Sequence, residues 1–184
     1  MKEVGHEQGV LCLSSDLENV MMWSHYADNH EGLVLRFDTR YMGDQVSGEL
    51  RCFQVKYGLS FPRLPEYLAA LRELENGDRL AFARLYLCRK SMDWKNEKEW
   101  RFFAGKPDSF VEFDAPMLSS VVFGWKMPEG TRRLVTAWAN TLNHKPELLQ
   151  AKPCPDRFRM AITPMTMGAQ QQHDKKALNA FTEQ

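Results

Sequence analysis

Apolar residues recur along this chain in two rhythms, one of strand type and one of helix type. "GVLCLS" at 9–14 reads as a short buried strand. Ser15 and Glu18 then match an S-x-x-E capping box, which predicts a helix running to about Asn29. On that helix Val20, Trp23 and Ala27 share one face, with Met22 and Tyr26 beside it. Gly32 is an exit, "LVLRFD" at 33–38 is the next strand, and "LRCFQVKY" at 50–57 alternates weakly as another. Pro62 and Pro65 mark a turn into a helix on which Leu64, Leu68, Leu71 and Leu74 keep a spacing of three to four. Asn76-Gly77 interrupts it, and Asp78 caps a second helix reaching about Arg89. "EWRFFAG", "SFVEFD" and "LSSVVFG" read as successive strands. Residues 129–143 read as a helix with Leu134, Trp138 and Leu142 on one stripe, and short strands follow near 147–152 and 157–162. The expected class is α+β, a mixed and mainly antiparallel sheet with helices packed on it. One domain is expected over 1–164, followed by a polar tail over 165–184.

Composition narrows the function more than the fold. The chain has 184 residues, 43% hydrophobic and 26% charged, enough for a globular core. Its 24 basic and 24 acidic residues cancel, which argues against a binder held mainly by phosphate attraction. Residues 1–60 carry 5 basic and 9 acidic side chains, a net of −4; residues 125–184 carry 9 and 5, a net of +4. That asymmetry keeps an anionic partner, a nucleic acid or an acidic protein face, among the readings. Cys12, Cys52, Cys88 and Cys154 form no C-x-x-C pair, so no metal centre is expected. The N-terminus carries no apolar signal core, and no run approaches membrane-spanning length. A reduced, cytoplasmic protein with no membrane partner is the expectation. There is no G-x-G-x-x-G, no Walker-type lysine and no G-x-S-x-G.

Two stretches concentrate chemistry. "NVMMWSHYADNH" at 19–30 places His25, Tyr26 and His30 in one short element. His25 and His30 are five apart and diverge by about 140° on a helix, so they make a poor metal pair. "WKNEKEWRFF" at 94–103 is the second. Read as a strand, it directs Trp100 and Phe102 one way and Glu97, Glu99 and Arg101 the other, with Lys90 and Trp94 just upstream. An E-x-E pair on one strand face suits glycosidic chemistry. One carboxylate steadies an oxocarbenium-like centre and the other activates the nucleophile. The same pattern is also what a solvated Glu–Arg ladder looks like.

The blocks "MWSHYADNHEGLVLRFD", "VKYG", "K…W.NEKEWR" and "SSVVFG" resemble, in order and wording, a bacterial and phage family called domain of unknown function 2971, over roughly residues 9–143. Members of that family usually begin with a further segment bearing an aromatic-rich strand and an N-D-P-F-like motif, so the chain reads as their later two-thirds. "EKEWRFF" followed by "LSSVVFG" is also similar to the catalytic strands of DNA-targeting ADP-ribosyltransferase toxins. That resemblance implies an ADP-ribosyltransferase-like fold that binds NAD between two small sheets. It makes Glu99 the catalytic glutamate and Glu97 the accessory one. His25, Tyr26, Trp94, Arg101 and Lys90 would contact the substrate. The missing segment would carry the first-strand NAD contact, and a shortened sheet would favour a homo-oligomer. Two other readings stay open: a non-catalytic binding module, and a nucleic-acid-associated protein that does not use NAD.

Overall fold

Alternating and aromatic residues in "EWRFFA" make β6 (Glu99–Ala104) the centre of a three-stranded sheet. In the computed structural model, which describes residues 9–38, 40, 51–104, 110 and 113–165, β1 (Gly9–Ser14) pairs antiparallel along one edge of β6. β3 (Arg51–Gln54) pairs antiparallel along the other. The register sets Ser14 opposite Glu99 and Cys12 opposite Arg101. The chain clusters into two compact units. The first holds residues 1–22 and 38–117; the second holds 23–37 and 118–184.

In the first unit, Val55 is the hinge between two pairings. Its N–H donates to Glu99 O at 3.0 Å, and the next N–H, of Lys56, donates to Cys88 O at 2.8 Å. The run expected as one strand over 50–57 is therefore two. After β3 comes β4 (Lys56–Gly58), which runs parallel to β5 (Arg89–Ser91) with Tyr57 opposite Lys90. Between them stand α2 (Leu64–Glu75), with proline in its first turn, and α3 (Ala81–Leu87). Ala83, Cys88 and Phe103 form the core here, with Phe53, Leu80 and Leu87 against them. Asp78 does not cap α3 directly. Its carboxylate takes the Leu80 N–H at 3.0 Å as a turn, and the helix starts at Ala81. It stops at Leu87, two residues short of the expected end, because Arg89 to Ser91 become β5.

The second unit is built on β7 (Leu118–Phe123), whose residues are nearly all buried. β2 (Leu33–Phe37) lies antiparallel to it and β8 (Glu147–Pro153) parallel, with β9 (Met160–Pro164) antiparallel outside β8. Val121, Phe123 and Met127 pack with Leu33, Val135 and Leu148. α4 (Glu129–Thr141) contributes Thr136 and Ala139 to the buried side. The expected stripe is turned outward: Leu134 is 73% exposed and Trp138 44%.

The first helix is shorter than its capping box suggests. α1 covers Val20–Tyr26, and the boundary between the units falls within it. Asn19 caps it, its Oδ1 accepting the Met21 N–H at 3.0 Å. Ser15 instead donates to Lys98 O. Beyond Tyr26 the chain turns through three consecutive left-handed residues, Asp28, Asn29 and His30 (φ 46°, 49° and 73°). Trp23 and Ala27 are buried, as their shared face implies.

The elements observed are α+β with mixed, mostly antiparallel sheets. Of the strand expected at 109–114, positions 109, 111 and 112 lie outside the described residues and Phe110, Phe113 and Asp114 are not in a strand; the tail from 166 onward lies outside the described residues altogether. Among the described residues no helix is long and apolar enough to cross a membrane.

Candidate functional site

Five of the seven residues singled out from sequence gather in the first unit. Lys90 stands on β5, and the next residue, Ser91, caps a 3-10 helix over Met92–Glu97. Trp94 and Glu97 sit on that helix, and Glu99 and Arg101 on β6. The joint is Lys98, a non-glycine residue at φ 48°, ψ 48°. This corrects the expectation that Glu97, Glu99 and Arg101 alternate along one strand. Glu97 precedes the strand, and the left-handed turn at Lys98 brings its carboxylate onto the same ammonium that Glu99 reaches.

The joint is strapped from outside. Ser14 Oγ donates to Glu97 O at 2.7 Å, the Ser15 N–H to Lys98 O at 3.2 Å, and Asn19 Nδ2 to Asn96 O. Lys98 Nζ reaches Asp16 Oδ2 at 2.8 Å. A segment from β1 into α1 thus holds the unfavourable φ in place, the usual condition for such a residue to persist.

Lys90 Nζ lies between the two carboxylates. It donates to Glu97 Oε2 and, at 3.3 Å, to Glu99 Oε2. Arg101 closes on Glu99 from the other side, Nε to Oε1 at 2.8 Å and Nη2 to Oε2 at 3.2 Å, while its Nη1 donates to Leu87 O. Tyr57 Oη accepts the Glu99 N–H at 2.9 Å. Cys12, opposite Arg101 in the register, is near enough for its thiol and the Glu99 carboxylate to shift each other's pKa. Both glutamates are buried, so the ladder is not a solvated one. Two carboxylates and two cations make the cluster formally neutral.

The electrostatics follow from these contacts. Burial alone would raise the Glu99 carboxyl; the interactions with Arg101, Cys12 and Lys90 override it and bring it down to about 2. Burial, then the neighbouring Glu99, push the Cys12 thiol up to about 11, so it stays protonated and is not a nucleophile near neutral pH. Burial opposes the charge on Lys90, but its bonds to Glu97 and Glu99 raise it net. Glu99 is therefore a fixed negative charge, too acidic for general-base work. At the rim, Trp94 is 42% exposed, and Lys90 Nζ sits 5.1 Å from its ring centre. A buried anion, a partly exposed ammonium and a partly exposed indole thus meet at one rim, a set that suits a ligand with a developing positive charge and a planar ring.

His25 and Tyr26 belong to the second unit, where both are exposed on α1. In the same unit His30 is buried, with Nε2 3.1 Å from Ser24 Oγ and Nδ1 without a partner among the described residues. Burial, aided by Lys126, lowers its pKa. Sequence reasoning missed Cys12 and Tyr57 as parts of the Glu99 environment. The alternation of "GVLCLS" against "EWRFFA" was the only available signal for Cys12, and it needed the register. Among the described residues no group of three or more His, Cys, Asp or Glu side chains is placed to hold a metal ion.

Residues 22–102 match the family model described as "Protein of unknown function (DUF2971)", which supports the family resemblance drawn from the sequence blocks. The matched span includes Lys90, Trp94, Glu97, Glu99 and Arg101 and leaves out Cys12. No curated protein and no solved structure matches the chain.

Proposed function

We propose that the Lys90–Trp94–Glu97–Glu99–Arg101 cluster handles the ribosyl group of NAD, as an ADP-ribosyltransferase-like or glycohydrolase activity of a bacterial or phage conflict system acting in the cytoplasm. The observation that carries this reading is the pair of buried carboxylates sharing one partly exposed ammonium beside a partly exposed indole. Trp94 offers its face to nicotinamide, and Lys95, exposed in the same turn, offers charge to the pyrophosphate. A ribose hydroxyl displaces Lys90 from Glu99, the longest contact in the cluster. The bond from the ribose anomeric carbon to nicotinamide then breaks, its electron pair leaving with nicotinamide. Glu99, ionised at every working pH, stabilises the positive charge left on the ribosyl ring. Water or a nucleophile on a nucleic acid or protein target attacks that carbon, and its proton passes to Glu97. Only side chains of the first unit are used.

A second reading rests on one observation. Both Glu99 oxygens are already engaged, by Arg101 and Lys90. A saturated carboxylate also suits a non-catalytic binding module whose ion pairs set the shape of the site.

Nicotinamide release from NAD, with and without nucleic acid, separates the two. The native chain is expected to release nicotinamide, and Glu97→Gln and Glu99→Gln to release it at least about 100-fold more slowly. No release by a folded native chain removes the catalytic reading. Release that survives in both variants removes this site from it.

A further inference from the structure

α2 is inside out. At about 100° per residue, Glu66, Ala70 and Glu73 fall on the face opposite Leu64, Leu68 and Leu71. Ala70 is the buried residue of that face, and the two glutamates, 38% and 50% exposed, flank it with ion pairs. Glu66 pairs with Arg89 and Glu73 with Arg84, and both glutamates line a cavity of about 380 Å³ with Phe53, Ala70 and Arg84. Leu64, Leu68 and Leu71 face away from this and are 69%, 45% and 43% exposed, while Leu74, about 40° round the helix from Ala70, is 40% exposed. Leu59 and Phe61, just before the helix, are 92% and 91% exposed. Five large apolar side chains, two from the loop and three from one face of the helix, mark an interaction surface and not scattered exposure.

We propose that α2 is a self-association surface, pairing antiparallel with α2 of a second copy of this chain. Three features favour a second copy. The first is spacing: Leu64, Leu68, Leu71 and Glu75 follow one another at four, three and four residues, the a/d seam of a coiled coil. The second is charge. Exposed Arg63 stands at the N-terminal end of the helix and exposed Glu75 at its C-terminal end, each the wrong sign for the helix dipole. In an antiparallel pair centred between Ala69 and Ala70, Leu68 meets Leu71, and Glu75 of each copy meets the Leu64 turn and Arg63 of the other. The local mismatch then becomes a pair of opposite charges at both ends. The third is area. With Leu59 and Phe61 packed alongside the seam, the exposed parts of five side chains amount to roughly 600 Å² per copy, toward the roughly 800 Å² per partner of a standard interface. The inward ion pairs fix which face is left for the partner.

Sedimentation of the full chain tests this. The native chain is expected to dimerise with rising concentration. Leu68→Glu and Leu71→Glu are each expected to raise the dissociation constant about tenfold or more without shifting the thermal midpoint, since both side chains are exposed. Arg63→Glu is expected to weaken the dimer, and Arg63→Glu combined with Glu75→Lys to restore it. A native chain that stays monomeric to about 100 µM overturns the proposal. So does a dimer that persists in the chain carrying both leucine changes. Binding of that monomeric chain to lipid vesicles or to another protein through the same leucines would name a different occupant, with the same result for self-association.

Discussion

Replacing Arg101 by alanine is expected to lower the stability of the first unit by about 3 kcal/mol, the typical loss when one partner of a buried pair is removed. Arg101 supplies two of the hydrogen bonds to Glu99, and Glu99 stays buried without them. Lys90 at 3.3 Å and the Cys12 thiol remain, which keeps the loss at the lower end of that range. A chain of this size should lose on the order of 10 °C in thermal midpoint. Replacing both partners by apolar residues of similar volume, Glu99→Leu with Arg101→Met, is expected to recover most of it, because no buried charge is then left over. The pH dependence carries the same signature. The folded-state pKa of Glu99 is depressed, so its contribution is present above the ordinary carboxylate value of 4.5 and lost as pH falls from there through about 2. Removing Arg101 leaves burial dominant and lifts the folded-state pKa of Glu99, so its acid limb should disappear and the deficit against the native chain should shrink as pH falls below 4.5. Acid titration of thermal melts for the native chain and Arg101→Ala reads both effects. An unchanged midpoint and an unchanged acid limb would mean that the pair contributes nothing.

Gly124→Ala is expected to have the larger effect in the second unit. A Cβ at Gly124 would lie 2.0 Å from His30 O and 2.7 Å from Gly32 O, both backbone atoms. The close approach also carries two hydrogen bonds, Gly124 N–H to Gly32 O at 2.9 Å and Lys126 N–H to His30 O at 3.1 Å. His30 is the last of the three left-handed residues and Gly32 precedes β2, so neither can retreat without undoing the turn. The expected cost is more than about 4 kcal/mol, in the range reserved for overpacking against a rigid neighbour. Gly130→Ala is the control. Nothing lies within 4 Å of its added Cβ, and the position is in the first turn of α4, so alanine should be neutral or stabilise by up to about 1 kcal/mol. A Gly124→Ala chain that melts with the native one would show that the turn yields easily.

Much of the fold was legible because the signals are local. "GVLCLS", "LVLRF", "EWRFFA" and "LSSVVF" carry enough apolar and β-branched residues to declare themselves, and they form β1, β2, β6 and β7. β5 was not legible. "RKS" is polar and three residues long, and it is a strand only because β4 lies beside it. Helical period located α2 and α4 but did not say which face turns inward. For α2 the answer lies in Glu66–Arg89, a contact across 23 residues. For α4 it lies in the sheet beneath Thr136 and Ala139.

The candidate site divides the same way. Lys90, Trp94, Glu97, Glu99 and Arg101 fall within twelve residues, so their nearness could be read from the chain. Their geometry could not. A lysine carries no signal for positive φ, so the turn at Lys98 was invisible, and strand alternation gave the wrong relation between the two glutamates. Cys12 and Tyr57 reach Glu99 through strand pairing, which no local pattern records. The tight Gly32–Gly124 approach likewise depends on a backbone contact between distant segments.

The central claim is that NAD binds at the Glu97–Glu99 cluster, and an NMR titration of the amide and indole N–H signals with NAD addresses it most directly. The account predicts saturable shifts at the Trp94 indole and at Tyr57, Lys90, Glu99 and Arg101, lost in Trp94→Ala. Saturable shifts confined to residues 118–164, or no shift at millimolar NAD in a folded chain, would contradict it.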